Sequence, residues 1–227
     1  VDVSIIIPVY NEVATLPELL NRVEALDLDR EIILVDDGST DGTTDFLKAL
    51  PPVEGRIVLF HDRNRGKGAA IQTALAHTTG DYIVIQDGDL EYDPRDLISL
   101  LAEARKGHPV VYGSRILGGD PISYVSFYLG GRFLSWLTNR LYGSDITDEP
   151  TCYKLFRRDV LMDMDLKAKG FNFCPEVTAV ALRRGYAIHE IPISYLPRSK
   201  QEGKKISWRT GIGAIFTLIK YRLKRKV

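Results

Sequence analysis

Five short β-branched runs, "VSIIIPV" (3–9), "EIILV" (31–35), "RIVLF" (56–60), "DYIVIQ" (81–86) and "PVVYG" (109–113), recur through the first half of this chain, with helical patterns between them. The first helix begins at Thr15, where Thr-x-x-Glu ending on Glu18 reads as a capping box and leucines at 16, 19, 20 and 26 supply an apolar face. The fourth begins at Asp93-Pro94, a capping residue with proline at the first helical position. Strands that are apolar on both faces and alternate with helices predict an α/β fold, a mostly parallel sheet covered on both sides. In open sheets of this kind ligands sit beyond the carboxyl ends of the strands. "PVYNE" (8–12), "VDDGSTDGT" (35–43) and "VIQDGDLEYDP" (84–94) all fall at that edge, and the last two are acid-rich.

After about residue 120 the rhythm changes. "YVSFYLGGRFLSWLTNRLYG" (124–143) predicts a helix with Phe127, Gly131, Leu134 and Leu141 near one face, interrupted by a costly Gly-Gly pair. A strand over 152–158, a helix near 175–184, a strand over 188–196 and a basic loop over 197–208 follow. With 227 residues, 44% of them hydrophobic, the chain is long enough to bury a substantial core. Thirty basic and thirty acidic residues cancel, so bulk charge gives no reason to expect nucleic acid. The distribution is uneven: ten Lys/Arg lie from Arg198 onward against Glu202 alone, a basic tail on an acidic body. Two cysteines suggest neither a disulfide framework nor a structural zinc site, and a reduced, cytoplasmic setting is the expectation. The longest apolar stretch, "GIGAIFTLI", is nine residues, short of a membrane span.

The acidic stretch carries the chemistry. Asp87, Gly88 and Asp89 set two carboxylates on one edge, with a glycine between them that lets backbone approach a ligand; Glu91 lies two residues on. Four carboxylates between 87 and 93 repel one another unless solvent or a cation intervenes. Their hard oxygen donors suit Mg²⁺ or Mn²⁺. Taken alone, the triplet reads first as a loop shaped by Asp87 and Asp89 before a helix capped by Asp93. "NRGKGAA" (64–70) offers amides and Lys67 ahead of a helix, either an anion site or an ordinary glycine turn. It lacks the P-loop pattern, and the first strand does not lead into Gly-x-Gly-x-x-Gly, which argues against a P-loop NTPase and a dinucleotide oxidoreductase.

"SIIIPVYNE", "ILVDDGSTDGT", "RGKGAAIQTAL", "GDYIVIQDGDLEYDP" and "YGSR", in this order and spacing, resemble the GT-A glycosyltransferases of family 2, and the resemblance covers nearly the whole chain. "QDGDLEYDP", "GSR" and "RSKQEGKK" are most similar to polyprenyl-phosphate hexosyltransferases of the dolichol-phosphate mannose synthase type. The resemblance implies a Rossmann-like GT-A domain with a nucleotide-sugar-binding half (1–120), an acceptor-binding half (121–205) and a basic amphipathic C-terminal helix (206–227). It implies that Pro8, Tyr10, Glu12 and Asp37 hold the nucleobase and ribose. Asp87, Gly88 and Asp89 match the metal and diphosphate site, with Glu91 where relatives often carry Gln. Arg198 and Lys205 match a basic loop over the phosphates, with Lys67 adding charge, and Arg115 and Arg132 match positions that hold an acceptor phosphate. Asp148 is the candidate base if the acceptor is a hydroxyl.

The activity this implies is metal-dependent inverting transfer of a hexose from a nucleotide sugar to a polyprenyl phosphate, with GDP-mannose the first donor and UDP-glucose the second. The alternatives are a family 2 transferase acting on a sugar hydroxyl and a nucleotide-sugar binding protein without turnover. Relatives commonly end in transmembrane helices. Here "GIGAIFTLIKYRLKRKV" instead places Ile212, Ile215, Phe216 and Ile219 on one face with a cationic end, which fits either docking on the body or peripheral association with the cytoplasmic face of a membrane, alone or beside a membrane-protein partner.

Overall fold

The structure, a computed structural model, describes residues 1–119, 125–198 and 208–224. Among these, seven strands form one sheet: β1 (Val3–Val9), β2 (Arg30–Asp36), β3 (Arg56–Phe60), β4 (Tyr82–Ile85), β5 (Val110–Ser114), β6 (Lys154–Arg157) and β7 (His189–Pro192). Their order is β3-β2-β1-β4-β6-β5-β7. The first four pair in parallel, as do β5 and β7, whereas β6 runs antiparallel between β4 and β5. All seven residues of β1 are buried, as the apolar run of a central strand covered on both faces requires.

Helices α1 (Leu16–Glu24), α2 (Thr43–Ala49), α3 (Lys67–Leu75), α4 (Asp96–Ala104), α5 (Arg115–Gly118), α6 (Val125–Tyr142), α7 (Arg158–Asp163), α8 (Phe173–Arg183) and α9 (Trp208–Leu223) complete the described fold. α1 buries Leu16, Leu19, Leu20 and Val23 at the expected spacing. Its capping box does not form. Thr15 is already in helical conformation, so its hydroxyl faces the Glu12 carboxylate (2.9 Å) and the Gly88 carbonyl (3.2 Å), while Glu18 bonds Arg22 instead (2.7 Å). Asp93 likewise shapes a turn three residues before the helix: its carboxylate accepts the Arg95 N–H at 3.0 Å, and α4 starts at Asp96. The last strand is shorter than expected, four residues plus a single bridge from Tyr195 to Tyr92.

At the amino edge of β1 and β2 the buried Glu31 carboxylate accepts from the Ser4 hydroxyl (2.5 Å), the Thr79 amide (2.5 Å) and hydroxyl (2.9 Å), and the Gly80 amide (3.2 Å). Burial opposes its charge, and these bonds outweigh burial to hold its pKa below the ordinary value. Gly66 and Gly68 are required by close backbone approach: a Cβ on either would lie 2.6 Å and 2.2 Å from the carbonyl oxygens of Lys169 and Ala168. The Ala69 amide donates to the Lys169 carbonyl (2.8 Å), so main chain takes up part of the α3 N-terminus.

α9 docks on the body through Ala214, Leu218 and Tyr221, all buried. The Tyr142 hydroxyl donates to the Leu218 carbonyl (2.6 Å), and the Tyr221 hydroxyl donates to Glu176, which also accepts the amides of Lys167 and Ala168. Its other face, with Ile212, Phe216, Ile219 and Leu223, stays exposed. α6 repeats the pattern, burying Leu134 and Thr138 while exposing Val125, Leu129, Phe133 and Trp136. No helix among the described residues is long and apolar enough to cross a membrane.

Candidate active site

The carboxyl ends of β1, β2, β4 and β5 bring together most of the residues singled out in the sequence. Beyond β4, Asp87 and Asp89 diverge to different partners. The Lys67 ammonium, arriving from the first residue of α3, bonds Asp87 and lies 3.5 Å from the buried Cys152 thiol. Burial works against both charges, and each group is the main counterweight for the other: Lys67 is held above its ordinary pKa and Asp87 below.

Asp89 has the opposite balance. Burial first, then the neighbouring Asp87 carboxylate, push it up to about 7, with Glu91 adding to the effect and Arg198 opposing it. The Arg198 guanidinium sits among three acids, 2.7 Å from Asp89 Oδ2, 3.0 and 3.2 Å from the two oxygens of Glu12, and 4.0 Å from Glu91 Oε1. Its buried Nε has no hydrogen-bond partner among the described residues. Glu91 holds the segment that carries this arginine, accepting the Tyr195 hydroxyl (3.0 Å) and the Arg198 amide (2.8 Å). Among the described residues, Arg198 is the positive group that meets Glu12 and Asp89. Three carboxylates, Glu12, Asp89 and Glu91, facing one positive group are all-oxygen donors of the kind a divalent ion takes.

Pro8 lies on β1 beside Gly88, whose Cβ position would be 3.4 Å from the Pro8 carbonyl, in van der Waals contact. Tyr10 and Asn11 follow, Asn11 in the left-handed region at φ 52°, and the Asn11 amide donates to the Ser39 hydroxyl (2.9 Å). Asp37, at the end of β2, spends its carboxylate inside the chain: it meets His61 Nδ1 (2.7 Å) and accepts the amides of Arg65 (2.8 Å) and Gly66 (2.7 Å). It thereby fixes the loop that delivers Lys67. A cleft of about 620 Å³ lined by Arg63, Asn64, Arg65, Ala69, Gln72, Thr73 and Lys169 includes none of the acids at the sheet edge.

Beyond β5, Arg115 and Asp148 form a bidentate pair. Asp148 Oδ2 accepts Arg115 Nε (2.8 Å) and its amide (2.9 Å), and Oδ1 accepts Nη2 (2.7 Å). Asp148 is 3% exposed. Glu190 of β7 accepts the Asp148 amide (2.9 Å) and the Thr147 amide (2.6 Å), locking the loop in place. The guanidinium carbon of Arg115 lies 5.0 Å from the Tyr195 ring centroid and 6.0 Å from that of Tyr92. Burial opposes the Arg115 charge; Tyr92 and Asp148 outweigh it and hold the guanidinium well above its ordinary pKa. Arg132 sits on the exposed side of α6 with no ion pair among the described residues, and Lys205 lies outside them. Tyr92, Tyr195 and Glu190 were not singled out from the sequence. Isolated tyrosines and a glutamate in a strand carry no local signal, because their roles come from packing across the chain.

The glycosyl transferase family 2 model matches residues 4–165 of this chain. The chain belongs to that family. Similarity extends to the undecaprenyl-phosphate 4-deoxy-4-formamido-L-arabinose transferase of Pseudomonas fluorescens (strain Pf0-1), 33% identical over 225 residues. The match takes in 96% of this chain but 64% of that relative's length. Among solved structures, glucosyl-3-phosphoglycerate synthase from Mycobacterium tuberculosis, crystallised with Mn²⁺, UDP-glucose and phosphoglyceric acid, superposes with a TM-score of 0.74 at 21% identity, covering 97% of this chain and 79% of that one. The same synthase with Mg²⁺ and UDP gives a TM-score of 0.73 at the same identity and coverage. These confirm the expected GT-A-like α/β fold.

Proposed function

We propose that this family 2 glycosyltransferase moves a sugar from a nucleotide sugar to a polyprenyl phosphate at a membrane surface, using Mn²⁺ or Mg²⁺. The observation that carries the choice of acceptor is the Arg115–Asp148 pair. A hydroxyl acceptor needs a base, and both oxygens of Asp148 are engaged by Arg115. A phosphate acceptor is already an anion and needs a fixed cation, which the clamped Arg115 offers. The relative that acts on undecaprenyl phosphate supports the same reading.

On the donor side, Asp89, with Glu12 and Glu91 nearby, would hold the divalent ion. When bound, that ion supplies positive charge to the diphosphate leaving group. Arg198 exchanges its bonds to Glu12 and Asp89 for the diphosphate oxygens, and Lys67 keeps Asp87 ionised and in place. Lys205, from the same basic segment, adds charge on the phosphate side. Asp37 supports this site by setting the 64–66 loop, and Pro8 and Tyr10 line the base side. Attack from the face opposite the leaving group inverts the anomeric centre, with Arg115, and Arg132 from α6, on the acceptor phosphate.

The exposed apolar faces of α6 and α9, flanked by Arg132, Arg140, Lys220, Arg222 and Lys224, have the chemistry of an anionic bilayer surface, where the lipid acceptor resides. GDP-mannose is the first donor to try and UDP-glucose the second. Incubation of radiolabelled donor, Mn²⁺ and a short polyprenyl phosphate should move label into an organic-soluble product. Label appearing only in a water-soluble glycan would instead establish a hydroxyl acceptor, and absence of nucleotide release with every donor and acceptor would establish a binding protein.

A further inference from the structure

On the opposite rim of the sheet, a second cluster has donor chemistry unlike that of the acidic edge. Glu103 in the last turn of α4, His108 in the loop before β5 and His189 at the start of β7 converge so that one donor atom from each lies within 4.8 Å of the others. His189 Nε2 is 3.1 Å and His108 Nε2 is 3.4 Å from the same carboxylate oxygen, Glu103 Oε1. The other oxygen, Oε2, accepts the Lys106 ammonium at 2.7 Å, which turns Oε1 towards the imidazoles. That bond also holds the Glu103 pKa below the ordinary value, so the carboxylate is ionised.

We propose that Glu103, His108 and His189 form a binding site for a first-row transition ion of the Zn²⁺ type, separate from the oxygen-donor site at Asp89. The distances fit. Four-coordinate zinc with donors at about 2.0–2.1 Å has neighbouring donors roughly 3.3–3.4 Å apart, the edge of the tetrahedron. The two nitrogen-to-oxygen edges, 3.1 and 3.4 Å, lie close to that length. The two imidazole rings stack at 4.2 Å with planes 12° apart, so one of the two exposed rings has to turn for both nitrogen lone pairs to meet a single ion. Both histidine side chains are 42% exposed, which leaves the ion an entry path and room for a water as fourth ligand.

Donor type keeps the two sites apart: imidazole nitrogen selects zinc, copper, nickel or iron, whereas carboxylates alone select magnesium or manganese. An ion here would join α4 to the edge strand β7. Since the next residue of β7 is Glu190, which orders the Asp148 loop, the ion would stiffen the acceptor side through the adjoining residue.

Isothermal titration of tag-free protein with Zn²⁺ tests this, with Co²⁺ as a visible-absorption probe of tetrahedral coordination. One equivalent of Zn²⁺ should bind wild type and Asp89→Asn alike. His108→Gln and His189→Gln should each weaken binding by at least roughly tenfold and abolish the tetrahedral Co²⁺ band. Circular dichroism melting of the metal-free variants checks that the substitutions leave the fold intact. Failure of wild type to take up Zn²⁺, or uptake unchanged in the His108→Gln/His189→Gln double variant, overturns the proposal. So does loss of uptake in Asp89→Asn with retention in both histidine variants, because the ion would then lie at the acidic edge.

Discussion

Lowering the pH from 8 to 6 should weaken Mn²⁺ binding about tenfold, because the ion must displace a proton from Asp89. With its pKa pushed up to about 7, Asp89 is about nine-tenths ionised at pH 8 and about one-tenth at pH 6. The ratio corresponds to ~1.4 kcal/mol of binding free energy. The sign follows from the structure: burial and the Asp87 and Glu91 charges favour the protonated form, and the Arg198 charge and the Glu91 N–H that Asp89 accepts only partly oppose them. Isothermal titration at pH 6, 7 and 8, in buffers of different ionisation enthalpy, reads affinity and proton release together. About half a proton should leave per ion at pH 7 and nearly a whole one at pH 6. Asp89→Asn, which keeps the shape and removes the titration, should bind weakly and without pH dependence. Arg198→Ala removes the opposing cation and should move the midpoint above 7. The same shift makes the metal-free fold lose stability as pH rises through about 7, since the folded form retains a proton that the unfolded chain has released; Mn²⁺ should offset this. A wild-type affinity constant between pH 6 and 8 would refute the argument.

Glu31→Ala leaves the hydroxyls and amides of Ser4, Thr79 and Gly80 without their acceptor and should cost ~3 kcal/mol in denaturant unfolding. Because the Glu31 pKa is depressed in the folded form, its stabilisation is present above the ordinary glutamate range and disappears as pH falls through the folded value; Glu31→Gln should flatten that acid dependence. Arg115→Lys replaces a bidentate fork by a point charge and should raise KM for the polyprenyl phosphate more than it lowers kcat, measured by organic extraction of labelled product. Phe216→Glu with Trp136→Glu places charge on the exposed faces of α9 and α6 and should reduce co-sedimentation with anionic vesicles while leaving the melting temperature unchanged.

The fold was legible where its cause is local. The runs at 3–9 and 56–60 became β1 and β3 without a shift, because a buried strand needs only a continuous apolar stretch. Capping failed as a guide at Thr15 and Asp93. Each has the right residue type, but Thr15 turned its hydroxyl to Glu12 and Asp93 paired with Arg95, partners that a local motif does not count. α7 and the short α5 escaped notice because four or six residues carry too little periodicity. At the site, the acids after β4 were visible as a charge cluster, whereas Tyr92 and Tyr195 around Arg115 acquire meaning only through contacts across the chain.

The order of apolar and acidic segments by itself determined that a mostly parallel sheet would carry carboxylates at one rim, since both the strand pattern and the strand ends are properties of neighbouring residues. Which charge meets which was decided by the tertiary structure. Arg198 reaches Asp89 from 109 residues away, Arg115 closes on Asp148 across 33, and β6 enters antiparallel between β4 and β5. Sequence spacing does not encode such pairings. They arise because the path of the chain places buried charges side by side, where each needs a counter-ion.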